Sequence, residues 1–136
     1  MVGILIVTHG RLGEFLLDTA EMLVSETSLV RTVSFLPGQG VEDLEQAVSD
    51  TLTEMNAADG TLCLADLPGG SPARVLGSFL LEDTHLELLT GVNLPMLVEV
   101  LMMRNSMTLR ELAAHAVTSG CQGIVDMGKM VRQETD

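Results

Sequence analysis

The sequence predicts an α/β fold: a doubly wound, mostly parallel sheet flanked by helices. Three observations carry that expectation. Short apolar runs alternate with stretches of helical periodicity, four times in succession. The runs are almost continuously apolar, as parallel strands buried on both faces are. Two of them, Gly3 to His9 and Gly60 to Asp66, stop at an ionisable residue before a glycine-containing turn. In open α/β sheets, chemistry gathers outside the carboxyl ends of the strands.

The length of 136 residues suits one domain, here taken as 1–131, with 132–136 expected to fray. A hydrophobic fraction of 46% is ample for a packed core. Seven basic residues against 19 acidic ones give a net charge of −12. Nucleic acid and anionic membranes demand a basic face, so that balance argues against both and favours a basic protein partner. Cys63 and Cys121 lie far apart, with no C-x-x-C and no clustered histidines, which fits a reduced cytoplasm and no structural zinc. The chain opens on MVGI without a basic leader, and no apolar run approaches the roughly 20 residues of a membrane span. A soluble, cytoplasmic protein is expected.

In chain order, Arg11 to Val24 repeats Leu12, Phe15, Leu16, Ala20 and Leu23 at helical spacing. Leu29 to Leu36 reads as a short strand stopped by Pro37 and Gly38, and Val41, Leu44, Val48, Leu52 and Met55 mark an amphipathic helix. After the strand ending at Asp66, Ser71 is placed to cap a helix with Pro72 at its first position, running through Val75, Leu76, Phe79 and Leu80. Leu86 to Thr90 is a fourth strand. Leu94 to Met103 is apolar nearly throughout, so it is buried, with some of Met96, Leu97, Leu101, Met102 and Met103 candidates for a subunit interface. Thr108 and Glu111 have capping-box spacing, and Gly120 is expected to end that helix. Cys121 to Val131, with Ile124 and Val125 among glycines, reads as an edge strand.

His9 and Asp66 would end separate strands on one rim. If those strands are neighbours, the carboxylate can bond one ring nitrogen, fix the tautomer and leave the other nitrogen a neutral nucleophile. A lone histidine is more often structural, but its place before Gly10, which permits a tight turn, reverses that expectation. Gly69, Gly70 and Ser71 open a helix whose unpaired N–H groups could cradle an anion. The combination describes a phosphoryl acceptor that needs neither metal nor cofactor.

Val7 to Gly10 (VTHG), Asp66 to Pro72 (DLPGGSP) and Gly91 to Glu99 (GVNLPMLVE) resemble, in order and across nearly the whole chain, the enzyme IIA domain of the mannose family of the bacterial sugar phosphotransferase system. The resemblance implies four parallel strands plus an antiparallel edge strand, a homodimer, and a histidine that takes phosphate from HPr and passes it to an enzyme IIB, indirectly serving a membrane IIC/IID transporter. Carried over by position, His9 is the phosphorylated residue, Asp66 its orienting partner and Ser71 a hydroxyl near the phosphate; from the reading of the turns themselves, Gly10, Gly69, Gly70 and Ser71 are the expected phosphate-binding positions. Leu67 and Pro68 take no role, and His85 and His115 read as structural or solvated. The absence of a Pro- or Ala-rich linker before Asp136 is expected of a stand-alone component.

Histidine phosphatases place arginine immediately before the histidine, where this chain has Thr8, and a response-regulator receiver needs paired acids after its first strand. A regulatory phosphoprotein of the same fold, or the phosphotransfer subunit of a dihydroxyacetone kinase, stays open as an alternative. The sugar is not encoded, because an enzyme IIA handles only the phosphate.

Overall fold

A computed structural model describes residues 1–134. The first strand, β1 (Gly3–His9), is buried from Gly3 to Thr8 and meets solvent at His9. There follow α1 (Leu12–Ala20), β2 (Val30–Phe35), α2 (Val41–Met55), β3 (Thr61–Ala65), α3 (Ser71–Leu80), β4 (Leu86–Leu89), α4 (Leu94–Met103), α5 (Leu109–Gln122) and α6 (Met127–Val131). The strands lie in the order β2-β1-β3-β4, every neighbouring pair parallel.

The apolar runs are explained by a sheet covered on both faces. Ile4, Ile6, Leu62 and Leu64 pack with Leu97, Val100, Leu112 and Ala116 of α4 and α5. The alternate residues Leu5, Val7, Cys63 and Ala65 pack with Leu44 and Val48 of α2 and Val75 and Leu76 of α3. Burial pushes the Cys63 thiol up to about 12, aided by the charge of Asp83, so it stays protonated and inert. The chain leaves β1 toward β2 on one side, then crosses to β3 on the other. That reversal opens a crevice between the carboxyl ends of β1 and β3, the topological switch point.

Met96, Leu97, Val100 and Leu101 all enter the core from α4, while Met102 is exposed. Asn93 caps this helix, its Oδ1 accepting from Met96 N at 3.0 Å and its Nδ2 donating to Gly120 O at 3.0 Å. The capping box of α5 forms as its spacing implies: Glu111 N donates to Thr108 Oγ1 at 3.2 Å and Thr108 N to Glu111 Oε1 at 3.0 Å. These bonds hold the Glu111 carboxyl below its ordinary value.

The tail departs from expectation. Among the described residues there is no antiparallel edge strand; within the Cys121 to Val131 stretch, 121–122 end α5, 123–126 link the helices and 127–131 form α6. Gly120 does not end α5 because it is needed inside it: it is buried, and a Cβ there would lie 2.9 Å from Met96 Cε. Asp126 then starts α6 by accepting from Lys129 N at 2.9 Å. Two β-branched residues, Ile124 and Val125, are too short a run to outweigh those local bonds. Of the frayed end expected at 132–136, positions 135–136 lie outside the described residues.

One buried charge holds the amino-terminal side together. Arg104, 1% exposed after α4, donates to Ser28 O at 2.6 Å and, more weakly, to Val2 O at 3.4 Å and Glu26 O at 3.5 Å. It thereby ties α4 to the start of β1 and to the loop before β2. Arg104→Met would fill the volume but leave those carbonyls without a donor, and should cost about 3 kcal/mol in urea denaturation. An unchanged midpoint would show that water replaces the guanidinium.

Candidate functional site

Each side chain at the crevice is set by backbone that the sequence dictates locally. Beyond His9, Gly10 turns the chain at φ +56°, in the left-handed region glycine enters without penalty, and its N–H donates to Phe35 O at 2.8 Å. Buried Thr8 points to the opposite face of the sheet, where its Oγ1 accepts from Gly13 N at 2.9 Å and so satisfies a first-turn donor of α1. Asp66 directly follows β3. Its backbone carbonyl accepts from Gly91 N at 2.7 Å, while Val92 N donates to Ala65 O at 3.1 Å. The turn after β4 therefore grips the carboxylate's own backbone.

The imidazole and the carboxylate meet, with His9 Nδ1 and Asp66 Oδ2 2.9 Å apart. The same oxygen accepts from His9 N at 2.9 Å, and Oδ1 accepts from Leu67 N at 2.8 Å. Asp66 is thus pinned through both oxygens, its side chain 12% exposed against 45% for His9. Burial pushes the carboxyl's pKa up, but the bonds from His9 and Leu67 and the nearby imidazole outweigh it and hold it below the ordinary value. An ionised carboxylate only accepts, so the ring proton belongs on Nδ1 and the lone pair on Nε2. In the neutral ring this leaves Nε2 as an oriented nucleophile, with a fixed negative charge on the other side of the ring to stabilise an imidazolium.

The family described as PTS system fructose IIA component matches residues 3–117. The chain belongs to the fructose/mannose enzyme IIA family of the phosphotransferase system. It is similar to the mannose-specific EIIAB component of Escherichia coli K12, at 40% identity over 90% of this chain, though it spans only 38% of that relative's length. It is also similar to the fructose-specific EIIA component of Bacillus subtilis 168, at 31% identity over 82% of this chain and 77% of that one. Among solved structures, EIIA of Streptococcus agalactiae superposes with a TM-score of 0.87 at 29% identity, covering 95% of this chain and 99% of that one. The mannose/sorbose specific IIA subunit of Enterococcus faecalis gives 0.83 at 28% identity, covering 91% and 92%.

Within this enzyme IIA fold, Ser71 is not the cap that its sequence position implies. Gly70 takes the N-cap place in extended backbone (φ −81°, ψ 167°), Ser71 is the first helical residue, and its hydroxyl makes no hydrogen bond among the described residues. The helix starts one residue early because the carbonyl of Gly70 already accepts from Arg74 N at 3.1 Å. Ser71 lines a groove between α2 and α3 with Val41, Glu45 and Arg74. Gly10 and Gly70 each spend their N–H on a carbonyl, Phe35 O and Leu67 O respectively. The N–H groups of Gly69, in the turn before α3, and of Ser71 and Ala73, in its first turn, have no partner among the described residues.

Gly70 has a different part, which sequence reading missed. A Cβ built on it would stand 2.5 Å from His9 Cε1 and 3.2 Å from Nε2, so its bare backbone closes against the imidazole. Gly70→Ala has no backbone strain to pay at φ −81° and should fold, but the ring must swing away from Asp66. Phosphoryl acceptance should fall on the order of a hundredfold, since small misplacements of a reacting group cost that much. A wild-type rate would show that the ring has slack. Of the other histidines, His115 Nε2 pairs with Glu99 Oε1 at 3.0 Å on α5 and α4, and exposed His85 lies 3.5 Å from Asp83.

Proposed function

We propose that this chain is a phosphoryl carrier in which His9 Nε2 accepts phosphate from phospho-HPr and passes it to a histidine of an enzyme IIB. The 2.9 Å contact of His9 Nδ1 with Asp66 Oδ2 is the observation that carries the reading. In the forward step the Nε2 lone pair forms a bond to phosphorus as the donor's P–N bond breaks. The released electron pair stays on the donor imidazole, and the Nδ1 proton remains between His9 and Asp66. The second transfer reverses these roles. The N–H groups of Gly69, Ser71 and Ala73 supply fixed donors to the phosphoryl oxygens at the start of α3. Ser71 contributes its backbone and, by side-chain rotation, its hydroxyl; Gly10 and Gly70 shape the turn and the ring's seat.

The carrier works in the cytoplasm beside a membrane IIC/IID transporter, which it serves only through IIB. No helix among the described residues is long and apolar enough to cross a membrane. The test is reconstitution: with enzyme I, HPr and phosphoenolpyruvate, the protein should take up one phosphate per chain and lose it to an added mannose-family IIB. Labelling that bypasses HPr, or no labelling, refutes the reading.

Homodimerisation belongs to the same proposal. Ile124, Met127, Met130 and Val131 present apolar side chains to solvent, and β4 leaves one edge without a neighbouring strand among the described residues. Sedimentation at micromolar concentration should give twice the monomer mass of 14.5 kDa. A species at the monomer mass would remove assembly from the account.

A further inference from the structure

Resting on the carrier reading, we infer that Phe35 is a positioning residue for the phosphoryl transfer, the wall that keeps the His9 imidazole on Asp66. With β1 between β2 and β3, Asp66 flanks His9 on one side and Phe35, its register partner on β2, flanks it on the other. The ring centroids of His9 and Phe35 are 6.2 Å apart at 62°, the separation and T-shaped geometry that aromatic pairs favour. Gly70 closes against the imidazole at Cε1. The ring therefore sits in a slot with a carboxylate, an aromatic ring and a bare backbone as its walls.

The need for a wall follows from exposure. The His9 side chain is 45% exposed, and a ring so open would ordinarily sample other rotamers, each of which breaks the Nδ1 bond and frees the tautomer. Asp66 pulls the ring from one side only. Phe35 denies it the opposite direction, toward β2. The residue is also tied to the turn it faces, because its own carbonyl accepts from Gly10 N at 2.8 Å. Packing of Phe35 against the core that holds Leu5, Val7 and Val33 keeps the wall itself in place.

The tests are Phe35→Ala, which removes the wall, and Phe35→Leu, which keeps bulk and apolar contact. Single-turnover transfer from phospho-HPr is followed with long-range proton–nitrogen NMR of the His9 ring. Phe35→Ala should slow transfer about tenfold at saturating donor, leave the half-saturating donor concentration unchanged, and show the ring nitrogens as an averaged pair of tautomers. Phe35→Leu should restore most of the rate and the single Nδ1-protonated tautomer. Phe35→Ala at the wild-type rate with that tautomer intact overturns the inference, as does Phe35→Leu failing as badly as Phe35→Ala while folded. In the wild-type protein, the aromatic ring should shift the His9 ring protons relative to Phe35→Leu, and no such shift also overturns it. Wild-type protein that takes no phosphate would instead refute the carrier reading.

Discussion

His9→Gln will take no phosphate from phospho-HPr while remaining folded. Both halves of that result come from the site's geometry. Glutamine cannot offer the Nε2 lone pair, and neither other histidine can replace it: His115 is paired with Glu99 on α4 and α5, and His85 lies before β4, away from the carboxyl rim. The fold is spared because the His9 side chain is nearly half exposed and its removal opens no cavity. Asp66 still accepts from the backbone N–H of residue 9 and from Leu67 N, so the loop keeps its anchors. Stability should stay within about 1 kcal/mol of wild type, as surface substitutions generally do. Radiolabel from phosphoenolpyruvate, followed through enzyme I and HPr, reads the first half and thermal denaturation the second.

Asp66→Asn should slow transfer on the order of a hundredfold, and the hydrogen bonds say why. Oδ2 serves both the backbone N–H and the ring of His9, and Oδ1 serves Leu67 N–H. An amide has one acceptor oxygen for three donors. With that oxygen toward His9, the tautomer survives, but Leu67 N–H faces an NH2 and the charge behind the imidazolium is gone. With the amide turned over, the NH2 donates to Nδ1, the ring proton moves to Nε2 and the nucleophile is blocked. A fully buried carboxylate behind a catalytic histidine is worth about ten-thousandfold in the serine protease triad. Asp66 retains some exposure, so water offsets part of its loss.

The same substitution changes the response to acid. The carboxyl's pKa is lowered by folding, so its stabilising contribution is complete above the unfolded value of about 3.9 and is lost as pH falls through the folded one. Asp66→Asn should therefore flatten the acid limb of the stability profile. Unimpaired transfer in the folded Asn variant would remove Asp66 from the mechanism.

The sequence carried the parts of this site that depend on pattern. Apolar runs ending at His9 and Asp66 revealed two strands and their rim, because buried parallel strands have no polar face to interrupt them. The contacts that hold the ring were not legible. Phe35 reads as one more apolar strand residue until β2 is known to lie beside β1, and Gly70 reads as half of a flexible pair until the imidazole is seen against it. Ser71 has the composition of a cap, but the carbonyl of Gly70 had already started the helix. The tail misled for the opposite reason: Ile124 and Val125 look like a strand, yet they only link α5, which continues through Gly120 beneath Met96, to α6, which Asp126 caps. Arg104 is an exposed residue by type, buried only because three backbone carbonyls from distant segments converge on it.

In the proposed mechanism the nitrogen facing away from Asp66 carries the phosphate. The most direct measurement is phosphorus and nitrogen NMR of the wild-type protein, labelled with nitrogen-15 in histidine and phosphorylated through HPr. One phosphohistidine is expected, at His9, with phosphorus coupled to Nε2 and the proton retained on Nδ1. Phosphate on Nδ1, or on any residue other than His9, would contradict it.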